Sequence, residues 1–232
     1  MLDSVDWRVR KGPGPRQFSD RVVVQGGSAG MLELSICLLA SRSASRRMLG
    51  LLVPLAAACA SEGIRRDTGI VSWLHWPNLV TIDGRVVAET SVSLARAPES
   101  RGRTQVVMNI SVDCFSPGPG TSSALPSTSI LTALGVEIDV AMLREKVLHA
   151  VNWYYAEWER GMNQKLAERM RPTIAWLGRD VEVRTAEGQV IRGRAIAMDD
   201  FGSLVLGKEG SRGSRTARAL PPDGVEFVSV VD

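Results

Sequence analysis

A proline–asparagine pair set between two β-forming runs does most to fix the middle of this chain. Residues 71–74 read as a strand that enters a turn at Pro77-Asn78, and residues 80–82 as a second strand. Proline has no N–H to give a ladder and asparagine tolerates turn backbone, so the pair breaks the strand at a defined point. Asp83-Gly84 then carries the signal of a two-residue hairpin loop, after which the strand resumes and runs to Leu94. The chain therefore has an antiparallel meander near its centre, and the elements around it must pack on that sheet.

Those elements follow from periodicity and punctuation. Residues 21–25 read as a short β-branched strand, 31–40 as a buried strand and 105–113 as another. Residues 48–63 have helical spacing through Leu51, Leu52, Leu55, Ala58 and Cys59, with Gly63 as the stop. The clearest helix spans 139–161, where Val140, Leu143, Val147, Val151, Tyr154 and Trp158 recur at three- and four-residue intervals. Asp139 suits its N-cap and Gly161 its end. A shorter helix over 163–171 is closed by Pro172. Residues 116–129 are rich in Pro, Gly and Ser and form a loop long enough for a binding or lid role. From Leu177 the texture changes to five short strands, 180–185, 189–198, 203–206, 216–220 and 225–230. They are separated by Glu187-Gly188, Asp199-Asp200-Phe201-Gly202 and Pro221-Pro222-Asp223-Gly224, a spacing that predicts a small barrel. The domain boundary falls near Trp176, giving a larger domain over 1–175 and a small one over 176–232.

Composition narrows the function classes. A chain of 232 residues, 44% hydrophobic, can hold one mid-sized domain and a small one. The net charge of +3 is modest and the arginines are scattered, which disfavours a nucleic-acid-binding module. Lys11, Lys146, Lys165 and Lys208 are the only lysines, so any lysine-dependent chemistry has few candidates. Cys37, Cys59 and Cys114 show no metal or redox spacing. Cys37 and Cys59 lie in apolar runs and read as small core residues, and the set suits a reducing cytoplasm. The polar first ten residues do not read as a signal peptide, and the apolar run 49–60 is too short to span a bilayer.

His75-Trp76-Pro77-Asn78, followed by Asp83-Gly84-Arg85-Val86-Val87-Ala88-Glu89, resembles a motif of the biotin protein ligases. There Lys-Trp-Pro-Asn-Asp precedes a hairpin that ends in Lys-(Ile/Leu)-Ala-Gly, and the spacing matches without a gap. Further stretches stand in ligase order. Ser28-Ala29-Gly30-Met31-Leu32-Glu33-Leu34-Ser35 resembles the family's Gly-Gly-Leu-Trp-Leu-Ser strand, and Ser127-Thr128-Ser129-Ile130 its Ala-Thr-Ser-Leu. The helix ending Trp158-Glu159-Arg160-Gly161 and the Asp199-Asp200-Phe201-Gly202 turn also match. The resemblance implies an α/β (α+β) fold: a class II synthetase-like mixed sheet with helices, plus a small C-terminal Src-homology-type β-barrel.

The resemblance also implies a chemistry. Such ligases use ATP and Mg to convert biotin to biotinyl-adenylate, then transfer biotin to a lysine of a biotin carboxyl carrier domain. They often pair their catalytic sheets edge to edge as a homodimer. The groups that stabilise the developing charge are two lysines and a Gly-Arg-Gly-Arg loop, each such donor being worth a few kcal/mol. At the matching positions this chain has His75 for the first lysine, Leu79 for Asp, Val86 for the second lysine and Glu89 for Gly. The loop corresponds to Gly12-Pro13-Gly14-Pro15-Arg16, and Val107-Met108-Asn109-Ile110-Ser111 replaces a Gly-Ile-Gly-Ile-Asn strand that lines the site. The candidate ligand-binding residues carried over are Gly12, Gly14, Arg16, Trp76, Pro77, Asn78 and Asn109. Arg85 and His75 are the stand-ins for the lysines. Arg85 also reads as a solvated hairpin residue, His75 as a plain turn residue, and Trp76 as a core residue instead of a base-stacking one. The family's N-terminal Ser-Thr-Asn element and any DNA-binding helix-turn-helix have no counterpart in the sequence. Two functions therefore stand side by side: an ATP-dependent, AMP-forming biotin ligase, and a catalytically inactive ligase-fold protein that binds a small ligand or a carrier-protein partner.

Overall fold

Alternation of apolar and polar residues builds the first sheet. The computed structural model describes residues 22–23, 30–40, 46–96, 104–116, 125–209 and 215–231. Its first elements are β1 (Val22–Val23), β2 (Met31–Ala40), α1 (Arg46–Gly50), α2 (Leu52–Thr68), β3 (Trp73–His75), β4 (Leu79–Ile82), β5 (Arg85–Arg96) and β6 (Thr104–Asp113). Then come α3 (Ile130–Leu134), α4 (Val140–Glu159) and α5 (Asn163–Met170). In β2 every second side chain is buried, from Leu32 through Leu34, Ile36 and Leu38 to Ala40. In β6 the same holds for Val106, Met108, Ile110 and Val112. Period-2 burial puts all of these on one face of the sheet. The strand read as wholly buried is thus half-buried, with one face in the core. The sheet runs β1-β2-β6-β5-β4-β3 with antiparallel neighbours throughout.

The helices cover that apolar face. α2 is buried almost all round from Leu52 to Ile64 because it lies between the sheet and α4. The helical stretch Met48–Thr68 is long and apolar enough, by length and composition, to cross a membrane, a longer run than 49–60; most of it is buried here. Gly63 does not stop the helix. A Cβ there would lie 2.4 Å from Val147 Cγ2, so this glycine lets α4 approach, and the stop is Gly69, left-handed at φ 75°. α4 begins as its sequence predicts, with the Asp139 carboxylate accepting from the Ala141 and Met142 N–H groups. Within the stretch read as a loop, Ser129 caps α3 by accepting from Thr132 N–H.

The C-terminal elements are β7 (Asp180–Thr185), β8 (Val190–Met198), β9 (Leu204–Glu209), β10 (Arg215–Leu220) and β11 (Val225–Val230). They form a second antiparallel sheet in the order β10-β9-β8-β7-β11. Val181, Val183, Ala195, Leu204, Leu206, Leu220 and Val228 fill its inner face and join the same core as the first sheet.

Candidate ligand site on the free face of the first sheet

The hairpin that carries the motif is pinned at both ends. Asp83 (φ 48°) and Gly84 (φ 74°) make the left-handed two-residue turn that joins β4 to β5. Trp76-Pro77 is a cis peptide. Asn78 is held by β5: its Nδ2 donates to Thr90 O at 3.0 Å, while Thr90 N–H donates to Asn78 O at 2.9 Å.

His75 and Trp76 are buried against the second sheet. His75 Nε2 lies 2.8 Å from Val228 O, the hydrogen-bonding geometry of an N–H on the neutral ring, and Trp76 Nε1–H donates to Gly202 O at 2.9 Å. Both rings meet Trp176 edge to face, at centroid distances of 6.2 and 6.4 Å. Burial lowers the His75 pKa and the Val228 carbonyl only partly opposes it, so the imidazole is neutral near pH 7. Trp76 is 1% exposed and its indole is taken up by this contact.

A bulge separates Val80↔Ala88 from Thr81↔Val86. It leaves Val86 and Val87 both buried and Arg85 exposed. The segment before α3 lies alongside: Val86 N–H donates to Pro126 O, and Thr128 N–H to Val86 O. Arg85 Nε makes a long 3.4 Å contact with Ser127 O. Leu79 and Glu89 are direct cross-strand partners.

The face of the sheet opposite the helices is polar. Glu33, Ser111 and Glu89 pair in one row across β2, β6 and β5, and Ser35, Asn109 and Ser91 in the next. The second row is knitted together: Ser35 Oγ–H donates to Asn109 Oδ1, and Asn109 Nδ2–H to Ser91 Oγ at 3.1 Å. Further along, Cys37 sits half-buried on this same face in contact with Gln105, not in the core where the sequence put it. Cys59 and Cys114 are buried.

Of the residues singled out in the sequence, the structure therefore brings His75 and Trp76 to the contact between sheets. It puts Pro77 and Asn78 in the hairpin turn, Arg85 at the surface and Asn109 in the middle of the polar face. Gly12, Gly14 and Arg16 lie outside the described residues. Ser111 belongs to the strand matched to the site-lining one, whereas Glu33, Ser35 and Ser91 are not among the candidate site residues, although alternation within 31–40 carries the signal for the first two. Among the described residues no group of three or more His, Cys, Asp or Glu could hold a metal ion.

Residues 176–216 match the family model described as the biotin protein ligase C-terminal domain. No curated protein matches the chain in sequence. Among solved structures, a mutant biotin protein ligase from Aquifex aeolicus in complex with biotin aligns over 94% of this chain and 91% of its own, with a TM-score of 0.70 and 15% identity. The Aquifex aeolicus ligase in complex with biotin and ATP aligns over 86% and 79%, with a TM-score of 0.67 and 14% identity. A biotin protein ligase-like protein of unknown function from a Silicibacter species aligns over 87% and 83%, with a TM-score of 0.69 and 15% identity. The chain has the fold of the biotin protein ligases, and its residues 176–216 match the model of their C-terminal domain.

Proposed function

We propose that this chain uses the ligase scaffold for binding and has given up adenylate formation. It holds a biotin-like acid, free or carried on a partner domain, against the polar face of the first sheet. The observation that carries this reading is His75. At the position of the first motif lysine stands a neutral, buried ring engaged by the Val228 carbonyl, which offers no charge to a phosphate. Val86, at the second lysine position, is buried and apolar. The described residues of the polar face add two carboxylates, Glu33 and Glu89, which repel a triphosphate. ATP with Mg therefore does not fit these residues. A neutral ring with N–H and C=O groups fits better: Asn109 and the serines of its row can turn donors and acceptors toward it.

One observation favours the second reading, an active ligase that uses ATP, Mg and biotin and modifies a carrier-domain lysine. The carboxylate lost at Leu79 reappears on its cross-strand partner Glu89, one strand away on the same sheet. A single experiment separates the two. Biotin is titrated into the purified chain by calorimetry, and pyrophosphate release is followed with biotin, ATP-Mg and a biotin carboxyl carrier domain. Saturable biotin binding that Asn109→Leu weakens, without pyrophosphate release, supports the binder. Pyrophosphate release with product on the carrier establishes the ligase, and absence of binding overturns both.

A further inference from the structure

The polar face of the first sheet is charged in one sense only. Along β6 the residues on this face are Gln105, Val107, Asn109, Ser111 and Asp113, each in register with partners on β2, β5 or both. Glu33 and Glu89 flank Ser111, and Asp113 stands one row beyond. Toward the other end, the rows through Val107 and Gln105 hold no charged residue. Among the described residues paired in these rows there is no lysine, arginine or histidine. Ser91 and Ser93 are exposed, so the β5 side of the face is open.

This distribution decides which chemical state of an acid the face can hold. Strands lie ~4.8 Å apart, so an anion resting on Ser111 is ~5 Å from each strand that bears Glu33 or Glu89. Two like charges at that distance, even screened as in water, together weaken binding by about tenfold. A carboxylate that runs toward Val107 and Gln105 instead meets no charge of opposite sign among the described residues, and it gives up hydration there. An amide carries no charge and needs only hydrogen bonds. Of the four positions of its own amide, Asn109 uses two on Ser35 and Ser91 among the described residues, and Gln105 carries a second amide on the same face.

We propose that this face takes the biotin-like group in its amide-linked form, already joined to a lysine of a carrier domain, and discriminates against the free acid. Joining the acid to a lysine turns its carboxylate into a neutral amide. Glu33 and Glu89 then repel nothing and can accept from N–H groups of the ligand. The open β5 side admits a ligand that stays attached to a domain. The chain thereby recognises a modified carrier instead of modifying one. The inference rests on the reading of this face as the ligand site and adds to it the chemical state of the ligand and the partner that bears it.

The test is calorimetry on the full chain at pH 7.5 with biotin, biotin N-methylamide, a biotinylated carrier domain and the same domain unmodified. The methylamide should bind more tightly than biotin by about tenfold or more. The biotinylated domain should bind at least as tightly as the methylamide, and the unmodified domain not measurably. Glu33→Gln with Glu89→Gln should shrink the ratio of methylamide to biotin affinity to about threefold or less. Glu145→Gln, the same change on the exposed side of α4, should leave the ratio as it is; melting curves check that each variant is folded. Biotin as tight as its methylamide, a ratio indifferent to the double substitution, a biotinylated domain that fails to bind where the methylamide binds, or an unmodified domain that binds equally well would each overturn the inference and leave the ligand site standing. If none of the probes binds, or Asn109→Leu weakens none of them, the ligand site itself falls and the inference with it.

Discussion

His75→Lys restores the residue that the ligase motif carries, and here it should cost stability without restoring activity. His75 is 7% exposed, its Nε2 is bonded to Val228 O at 2.8 Å, and its ring meets Trp176 edge to face. Losing the ring contact costs about 1 kcal/mol. An ammonium can keep a bond to the Val228 carbonyl, but it brings a charge into a buried site. Burial of that kind lowers a lysine pKa by about 2 units, at ~1.4 kcal/mol each. The net penalty is about 4 kcal/mol, which for a chain of this size is a melting temperature lower by roughly 8–16 °C. Urea unfolding followed by tryptophan fluorescence measures it directly, since Trp76 and Trp176 lie at the contact. The sign of its pH dependence is fixed. The lysine is charged in the unfolded chain up to about pH 10.4 and resists charging when folded, so the penalty is full near pH 7 and shrinks as pH approaches that value. A His75→Lys protein as stable as its parent at pH 7.5, or one that releases pyrophosphate from ATP with biotin, would refute the reasoning by showing that position 75 faces the ligand and not the second sheet.

Two further outcomes follow from the same packing. Because burial lowers the His75 pKa below that of the unfolded chain, the parent's stability should be full above about pH 6.5 and fall below it by up to ~1.4 kcal/mol per pH unit, and His75→Gln should flatten that slope in urea titrations between pH 7 and 5. Gly63→Ala should lower the melting temperature: overpacking against Val147, whose Cγ2 and Cα would lie 2.4 and 2.9 Å from the new methyl, costs ~1–3 kcal/mol or more, against a helix-propensity gain of at most ~1 kcal/mol; a higher melting temperature would show that α2 and α4 do not meet there.

What the sequence could tell depended on the range of the interaction that decides each feature. The Asp83-Gly84 turn, the Asp139 cap and the periodic face of α4 are settled within a few residues, and the structure has them where the residues put them. Gly63 has the look of a helix stop when only its neighbours are considered; the residue that makes it a packing glycine, Val147, lies on another helix. The polar face is intermediate. Alternation marks Glu33 and Ser35 in one strand and Asn109 and Ser111 in another. Only the register of β2, β6 and β5 sets Glu33, Ser111 and Glu89 in one row.

The motif positions illustrate the longest range of all, and they explain why an imidazole and a valine suit positions 75 and 86. Position 75 is closed by Val228 and Trp176, and position 86 by the bulge that turns both valines inward. Trp76 reaches the Gly202 carbonyl because the Asp199–Gly202 turn sits tight on the start of α2: Gly202 is left-handed at φ 83°, and a Cβ on it would lie 2.9 Å from Leu51 Cα. Once the second sheet packs on the hairpin in this way, a lysine at 75 or 86 would have to shed its water on burial, whereas a neutral imidazole and a valine are stabilised by the same burial. The residues present at 75 and 86 are therefore ones that this interface favours. Replacing either alone by lysine should be costly, and that is why His75→Lys tests the interface before it tests catalysis.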